Sequence, residues 1–233
     1  MRFILAIFFS AALLFANTNQ SETDEFDVEF GTQTTTFDPL SEYNRVMTSF
    51  NDFVYVNMLT PAARGYAYVV PKTTRTVISN FFDNLMFPIR FVNNLLQFKF
   101  KNAGEETLRF LANTIIGFGG LADGAKYYGL EKHDEDFGQT LGTWGIASGF
   151  HVVLPLLGPS NLRDMVGMAG DYFANPISYI EDDWTAFGIK TFAYFNEFSH
   201  DPLAYENLKK DAVELYPFLR DAYEQRREHL IKE

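Results

Sequence analysis

From Thr73 to Gln97 the apolar residues come in pairs about one helical turn apart: Val77/Ile78, Phe81/Phe82 and Leu85/Met86, then Ile89, Val92 and Leu95/Leu96. That spacing predicts a helix with a broad apolar stripe. Pro88 lacks the amide hydrogen a helix interior needs, so the element should break or kink near Phe87. The positions opposite the stripe are almost all uncharged: Ser79, Asn80, Asn84, Asn93, Asn94 and Gln97, with Asp83 and Arg90 as the ionic exceptions. Exposed faces of water-soluble helices favour Glu, Lys, Arg and Gln, which form helix better than Asn. A neutral hydrogen-bonding face opposite a Phe/Leu/Ile face therefore has two explanations. The helix has core or hydrocarbon on one side and polar ligand groups on the other, or the Asn residues cap helices broken around Pro88.

Helical spacing continues through most of the chain. Asp38 and Pro39 suit a helix start, and Leu40, Tyr43, Met47, Phe50 and Val54 follow at steps of three and four. Thr60-Pro61 repeats the start signal, and Pro71 closes that short helix. A helix over 105–116 should stop at Gly117, Gly119 and Gly120, and Gly138, Gly142 and Gly145 permit further turns and close helix approach. The stretch HVVLPLLGP (151–159) has branched residues between prolines and predicts an extended or turning piece. Ser160 should cap a helix to Ala174, ended by Asn175-Pro176. Helices over 183–198 and 202–230 complete an all-α fold in a single domain, 37–233.

The N-terminus gives an address. MRFILAIFFSAALLFA (1–16) places Arg2 before an apolar run that is shorter than the roughly 20 residues a spanning helix needs, and it predicts a cleaved secretory signal. Residues 17–36 are acidic and polar and predict a mobile leader. No later segment reaches transmembrane length without charges or breakers.

A formal charge of −11 argues against binding nucleic acid through its phosphates and against simple attraction to anionic lipid. The chain has no cysteine, which excludes disulfides, thiolate metal sites and a lipidated N-terminal Cys. It has 25 Phe, most of them expected in an ordinary core.

Catalytic motifs fare poorly. Asp136-Phe137-Gly138 matches the magnesium triplet of protein kinases without any of its companions. Gly117-Phe118-Gly119-Gly120 lacks the strand and the Lys-Ser/Thr of a phosphate loop. His133, His151, His200 and His229 include no pair at metal-ligand spacing. Ser148 in GIASG is not a nucleophile elbow. Asp134, Glu135 and Asp136 read as a solvated loop. A periplasmic hydrolase would need His133 or His151 brought to a nucleophile in space. The expectation is a protein that is not an enzyme and needs no cofactor or metal.

Six strings occur together: DPLSEYNRVMTSFN (38–51), SNFFDNLMFPIRFVNNLLQFKF (79–100), RFLANTIIGFGGLADGA (109–125), EDFGQTLGTWGIASG (135–149), VLPLLGPSNLRD (153–164) and LRDAYEQRREHL (219–230). As a set they resemble the MlaA (VacJ) family of Gram-negative outer-membrane proteins, over 38–230. The resemblance implies a compact helical protein, ring-like with an amphipathic central channel, in the periplasmic leaflet of the outer membrane beside a trimeric porin. It implies removal of phospholipid misplaced in the outer leaflet and delivery to a periplasmic carrier like MlaC, which maintains lipid asymmetry. Members are commonly lipoproteins, and the missing Cys departs from that pattern. Attachment would then fall to apolar side chains, to the porin or to a retained signal. Burying one Phe is worth roughly 1.5–3 kcal/mol, so a handful suffices.

Asn80, Asn84, Arg90, Asn93 and Asn94 are the expected headgroup track. Leu154, Leu156 and Leu157 are expected at the channel or lipid boundary, and Phe81, Phe82, Leu95, Leu96, Phe98 and Phe100 in contact with membrane. The competing reading is a porin-bound structural protein that conducts no lipid.

Overall fold

A computed structural model describes residues 38–233, and the body considered is Glu42–Glu233. The expected signal peptide (1–16) and acidic leader (17–36) lie outside the described residues. Helix α1 (Ser41–Val54) passes through a π-helical turn (Tyr55–Leu59) into α2 (Thr60–Val69). Pro39 lies in the turn before α1, so that helix begins two residues later than the Asp38-Pro39 signal suggests. Helices α3 (Lys72–Leu85) and α4 (Phe87–Leu96) are separated at Met86, where Pro88 in the first turn of α4 forces the break. Helix α5 (Phe100–Ile115) starts earlier than its apolar spacing indicates. It ends in a glycine turn in which Gly119 and Gly120 donate back to the carbonyls of Thr114 and Asn113.

Beyond a 3-10 turn (Ala125–Tyr128), α6 (Phe137–Thr143) is capped by the Asp136 carboxylate, which accepts from the Gln139 amide. The stretch expected to be extended is an antiparallel hairpin of β1 (His151–Leu154) and β2 (Gly158–Asn161), with Leu154 opposite Gly158. It is the departure from an all-α fold among the described residues. The hairpin continues through Ser160, so the cap of α7 (Leu162–Ala174) falls to Asn161 instead, whose side chain accepts from the Asp164 amide. A 3-10 turn (Pro176–Tyr179) leads to α8 (Asp183–Phe198), with the bounds its spacing predicts. The single helix expected over 202–230 is two, α9 (Ala204–Lys209) and α10 (Leu215–Lys232), parted by an exposed turn around Val213.

The interior is polar. The largest fully buried side chains are Glu106, Asn44, Asn93, Asn94, Asn161 and Asn196, while the buried apolar set is short: Ala63, Ala103, Ala125, Leu141, Val152, Val153, Ile177 and Tyr216. No Phe among the described residues is buried, which overturns the expectation of a phenylalanine core. Phe98, Phe100, Ile115, Phe118, Phe173 and Trp184 lie open on the surface. Proteins built for water order these classes the other way.

Amides and ion pairs join the helices. Glu106 of α5, wholly buried, accepts from Arg90 Nε of α4 at 2.6 Å and from the His133 amide at 2.8 Å. Arg227 of α10 reaches Asp136 at 2.6 Å and Asp164 at 2.9 Å, tying the last helix to α6 and α7. Glu135 pairs with Lys99 at 2.5 Å. The acidic triplet is therefore not the solvated loop expected, since Glu135 and Asp136 hold Lys99 and Arg227 and the exposed Asp134 lies 2.9 Å from Lys132. Burial opposes the charge on Asp136, yet the Arg227 hydrogen bonds and charge override it and hold the carboxyl below the usual range. Helices α6 and α7 cross so closely that a Cβ on Gly167 would lie 2.5 Å from the Gly138 nitrogen.

Replacing Glu106 with Leu takes the buried partner from Arg90 Nε and leaves the guanidinium only its contacts to Asp83. Denaturant unfolding in detergent should show a loss of about 3–5 kcal/mol, the cost of removing one member of a buried ion pair. A Glu228→Gln change on the exposed face of α10 should cost under about 0.5 kcal/mol.

Candidate functional site

Helices α3, α4, α7 and α8 leave between them a cavity of about 1010 Å³. Its apolar wall comes from Phe82, Met86, Ile89, Leu157, Met168 and Phe187, and its polar wall from Ser79, Asn80, Arg90, Lys132, Asp171, Lys190 and Glu197. Both kinds of wall follow from the segments that form it. The apolar pairs of α3 place Phe82 beside Asp83, and the Pro88 break turns Ile89 and Arg90 toward the same space. Helix α8 contributes Phe187, Lys190, Tyr194 and Glu197 at steps of three and four along one face.

Most charges on the wall are already matched. Arg90 reaches Glu106 and also Asp83 Oδ1 at 3.3 Å. Lys132 lies 2.5 Å from Asp83 and 2.9 Å from Asp134; burial works against its charge, but the two carboxylates overcome it and raise its pKa. Glu135 and Asp136 are held by Lys99 and Arg227 as described. Lys190 differs: its ammonium meets the neutral Ser178 hydroxyl at 3.2 Å and lies over the Tyr172 ring at 5.6 Å. Asp171 accepts from the Phe137 amide and from Asn93 Nδ2, and burial pushes its pKa up to about 6.

Of the expected headgroup residues, Asn80 and Arg90 line the cavity, Asn80 with its amide on the Leu121 carbonyl at 3.2 Å. Asn84, Asn93 and Asn94 do not. Asn84 donates to Thr114 and packs against Gly120, where any Cβ would fall 2.6 Å from its own. Asn93 bridges Asp171 and Thr140, and Asn94 donates to the Arg90 and His133 carbonyls. Asn84 and Asn93 join helices, and Asn94 ties α4 to the segment around His133. Leu157 lines the cavity at the hairpin tip; Leu156 is exposed beside it, and Leu154 ends β1 half-buried. Phe81, Phe98 and Phe100 are exposed, Leu95 and Leu96 are half-buried, and Phe82 faces the cavity.

Lys132, Asp171, Tyr172, Lys190 and Glu197 were missed. A signal existed for one of them: Lys190 is the lone Lys or Arg in the sixteen residues of α8.

The cavity also holds the one nucleophile–histidine approach found on its wall. Ser79 Oγ donates to Glu197 Oε2 at 2.7 Å, accepts from Asn196 Nδ2 at 3.0 Å and lies 3.2 Å from His200 Nε2. A hydroxyl has one proton, so the histidine nitrogen facing it acts as donor. The group is a junction between α3 and α8, and its geometry is not that of a serine activated by a base. His133 and His151 are each paired with a carboxylate, Glu105 at 2.6 Å and Glu224 at 2.9 Å.

The hairpin tip is fastened to α1. Asn51 donates to the Leu154 carbonyl at 2.9 Å and accepts from the Leu156 amide at 2.7 Å, while the Tyr55 hydroxyl donates to the Leu156 carbonyl at 2.6 Å. Leu156 sits at φ +64°, in the left-handed region that an L side chain rarely adopts. Those three bonds hold it there.

Residues 36–230 match the family model described as MlaA lipoprotein. The chain is 33% identical over 204 residues to the intermembrane phospholipid transport system lipoprotein MlaA of Escherichia coli, covering 83% of this chain and 78% of that protein. It is 30% identical over 198 residues to an uncharacterized protein of Rickettsia felis, covering 84% and 78%. A solved structure described as the structural basis for maintenance of bacterial outer membrane lipid asymmetry superposes with a TM-score of 0.75 at 32% identity. It covers 84% of this chain and all of that one.

Replacing Asn51 with Ala removes two of the three bonds at the tip. Hydrogen exchange at the Leu156 amide should accelerate about tenfold, the scale of one lost hydrogen bond.

Proposed function

The chain belongs to the MlaA family, and on that premise we propose that it is a non-enzymatic lipid-transfer protein. It removes phospholipids from the outer leaflet of the outer membrane and hands them to a periplasmic carrier. The observation that carries this reading is the reversed burial: amides and ion pairs are buried while every described Phe and Trp is half-buried or exposed, around a cavity with both kinds of wall.

A phospholipid crosses a bilayer slowly because its charged headgroup must leave water, while its tails are equally at ease on either side. A passage helps when it offers the headgroup polar groups and the tails an apolar wall. Fixed charges in such a wall must be paired, since an isolated one in hydrocarbon is costly. Arg90 and Lys132 are paired and so set the polarity of the wall without trapping a phosphate. Lys190 is the cation left to meet it, with Asn80 as a neutral partner and Phe82, Met86 and Leu157 toward the chains.

The exterior supplies the attachment. Among the described residues no helix is long and apolar enough to cross a membrane. Side chains such as Phe98, Phe118 and Phe173 would be buried in one leaflet, at roughly 1.5–3 kcal/mol each. That is ample without the acyl anchor a Cys would carry. A trimeric porin as neighbour and an MlaC-like carrier as recipient complete the reading.

Phospholipid should remain bound when the protein is extracted in mild detergent and examined by mass spectrometry. Its absence would favour a porin-associated structural role. Replacing Lys190 with Glu should lower retained lipid about tenfold, given about 1.5–3 kcal/mol for a hydrogen bond to a charged group. Leu157→Glu should impair outer-membrane lipid asymmetry while circular dichroism stays unchanged; normal asymmetry would remove the hairpin tip from the mechanism.

A further inference from the structure

Once the ion pairs on the cavity wall are set aside, three charges remain there without an opposite charge within 4.0 Å among the described residues: Lys190, Glu197 and Asp171. Lys190 and Glu197 share α8. Seven residues are two helical turns, so both side chains leave the same face about 10 Å apart along the axis. Tyr194 between them lines the cavity as well. One helix edge thus presents a positive group, a ring and a negative group in line.

Glu197 is held only through Oε2, by the neutral Ser79 hydroxyl. Asp171, on the facing helix α7, has its oxygens occupied by the Phe137 amide and Asn93, and burial raises its pKa to about 6. Glu197 is therefore the more available of the two carboxylates.

We propose that this edge of α8 selects phospholipids whose headgroup carries an ammonium group, with Lys190 facing the phosphate and Glu197 facing the ammonium. The selectivity rests on the lipid-transfer reading. An ammonium has hydrogens to donate and no acceptor, so a carboxylate satisfies it directly. The separation along α8 leaves room for a phosphate and an ammonium in line, each a charge-assisted hydrogen bond of about 2.8 Å from its partner. A headgroup with phosphate and hydroxyls alone leaves Glu197 uncompensated beside a second negative charge, which disfavours it.

The full chain, reconstituted in nanodiscs of equimolar phosphatidylethanolamine and phosphatidylglycerol with matched acyl chains, is re-extracted in mild detergent, and its retained lipid is quantified by mass spectrometry. Phosphatidylethanolamine should exceed phosphatidylglycerol about fivefold, the scale of one solvent-accessible ion pair. Glu197→Gln should bring the ratio close to one through loss of retained phosphatidylethanolamine, and Glu197→Lys should invert the preference. Retained lipid at the input ratio, or an unchanged ratio in a folded Glu197→Gln protein, overturns the selectivity and leaves the transfer reading standing. No retained lipid in the unaltered chain overturns both.

Discussion

Glu106 accepting from Arg90 and from the His133 amide is the contact on which the rest of this fold turns, because it shows what fills the space between helices. The same chemistry recurs between other elements: Asn44 between α1 and β1, Asn93 between α4 and α7, Asn196 between α8 and α3, and Arg227 between α10 and the α6–α7 pair. A hydrogen bond in a protein surrounded by water is worth about 0.5–1.5 kcal/mol net. An interior of such bonds leaves the apolar side chains to the surface, and each large one left in water forgoes roughly 1.5–3 kcal/mol. The arrangement is coherent when the surroundings are hydrocarbon. There the greasy exterior loses nothing, and polar groups gain by finding one another.

The same logic explains the cavity. Helices packed through side-chain amides and guanidinium groups meet at directional contacts, and space stays open where no such contact closes it. The walls inherit both chemistries, Arg90 and Lys132 on one hand, Phe82 and Met86 on the other. Neutralisation inside the protein fixes most of these charges as background. The few that remain, on α7 and α8, are the ones available to a ligand.

Much of this was legible in the sequence. The break at Pro88, the bounds of α8, the non-helical character of HVVLPLLGP and the family resemblance all follow from residues read in order. Of the residues expected on the headgroup track and at the channel or lipid boundary, Asn80, Arg90 and Leu157 line the cavity. The expectation for Asn84, Asn93 and Asn94 rested on their neutrality, and a neutral amide serves a helix junction as well as a headgroup. The phenylalanine core failed for a deeper reason. Periodicity shows which residues share a face but not whether that face meets protein, water or hydrocarbon. The acidic triplet misled similarly: Arg227, which neutralises Asp136, is 91 residues away in the chain.

The chain contains no cysteine, so a single introduced one can be labelled without background. Spin labels placed at Ile115, Phe118 and Phe173 in the protein reconstituted into bilayers report their solvent by collision with oxygen, which concentrates in hydrocarbon, against a polar nickel complex, which stays in water. Oxygen should dominate at all three and the nickel complex at Lys232. Equal access of the nickel complex to all four positions would contradict the account.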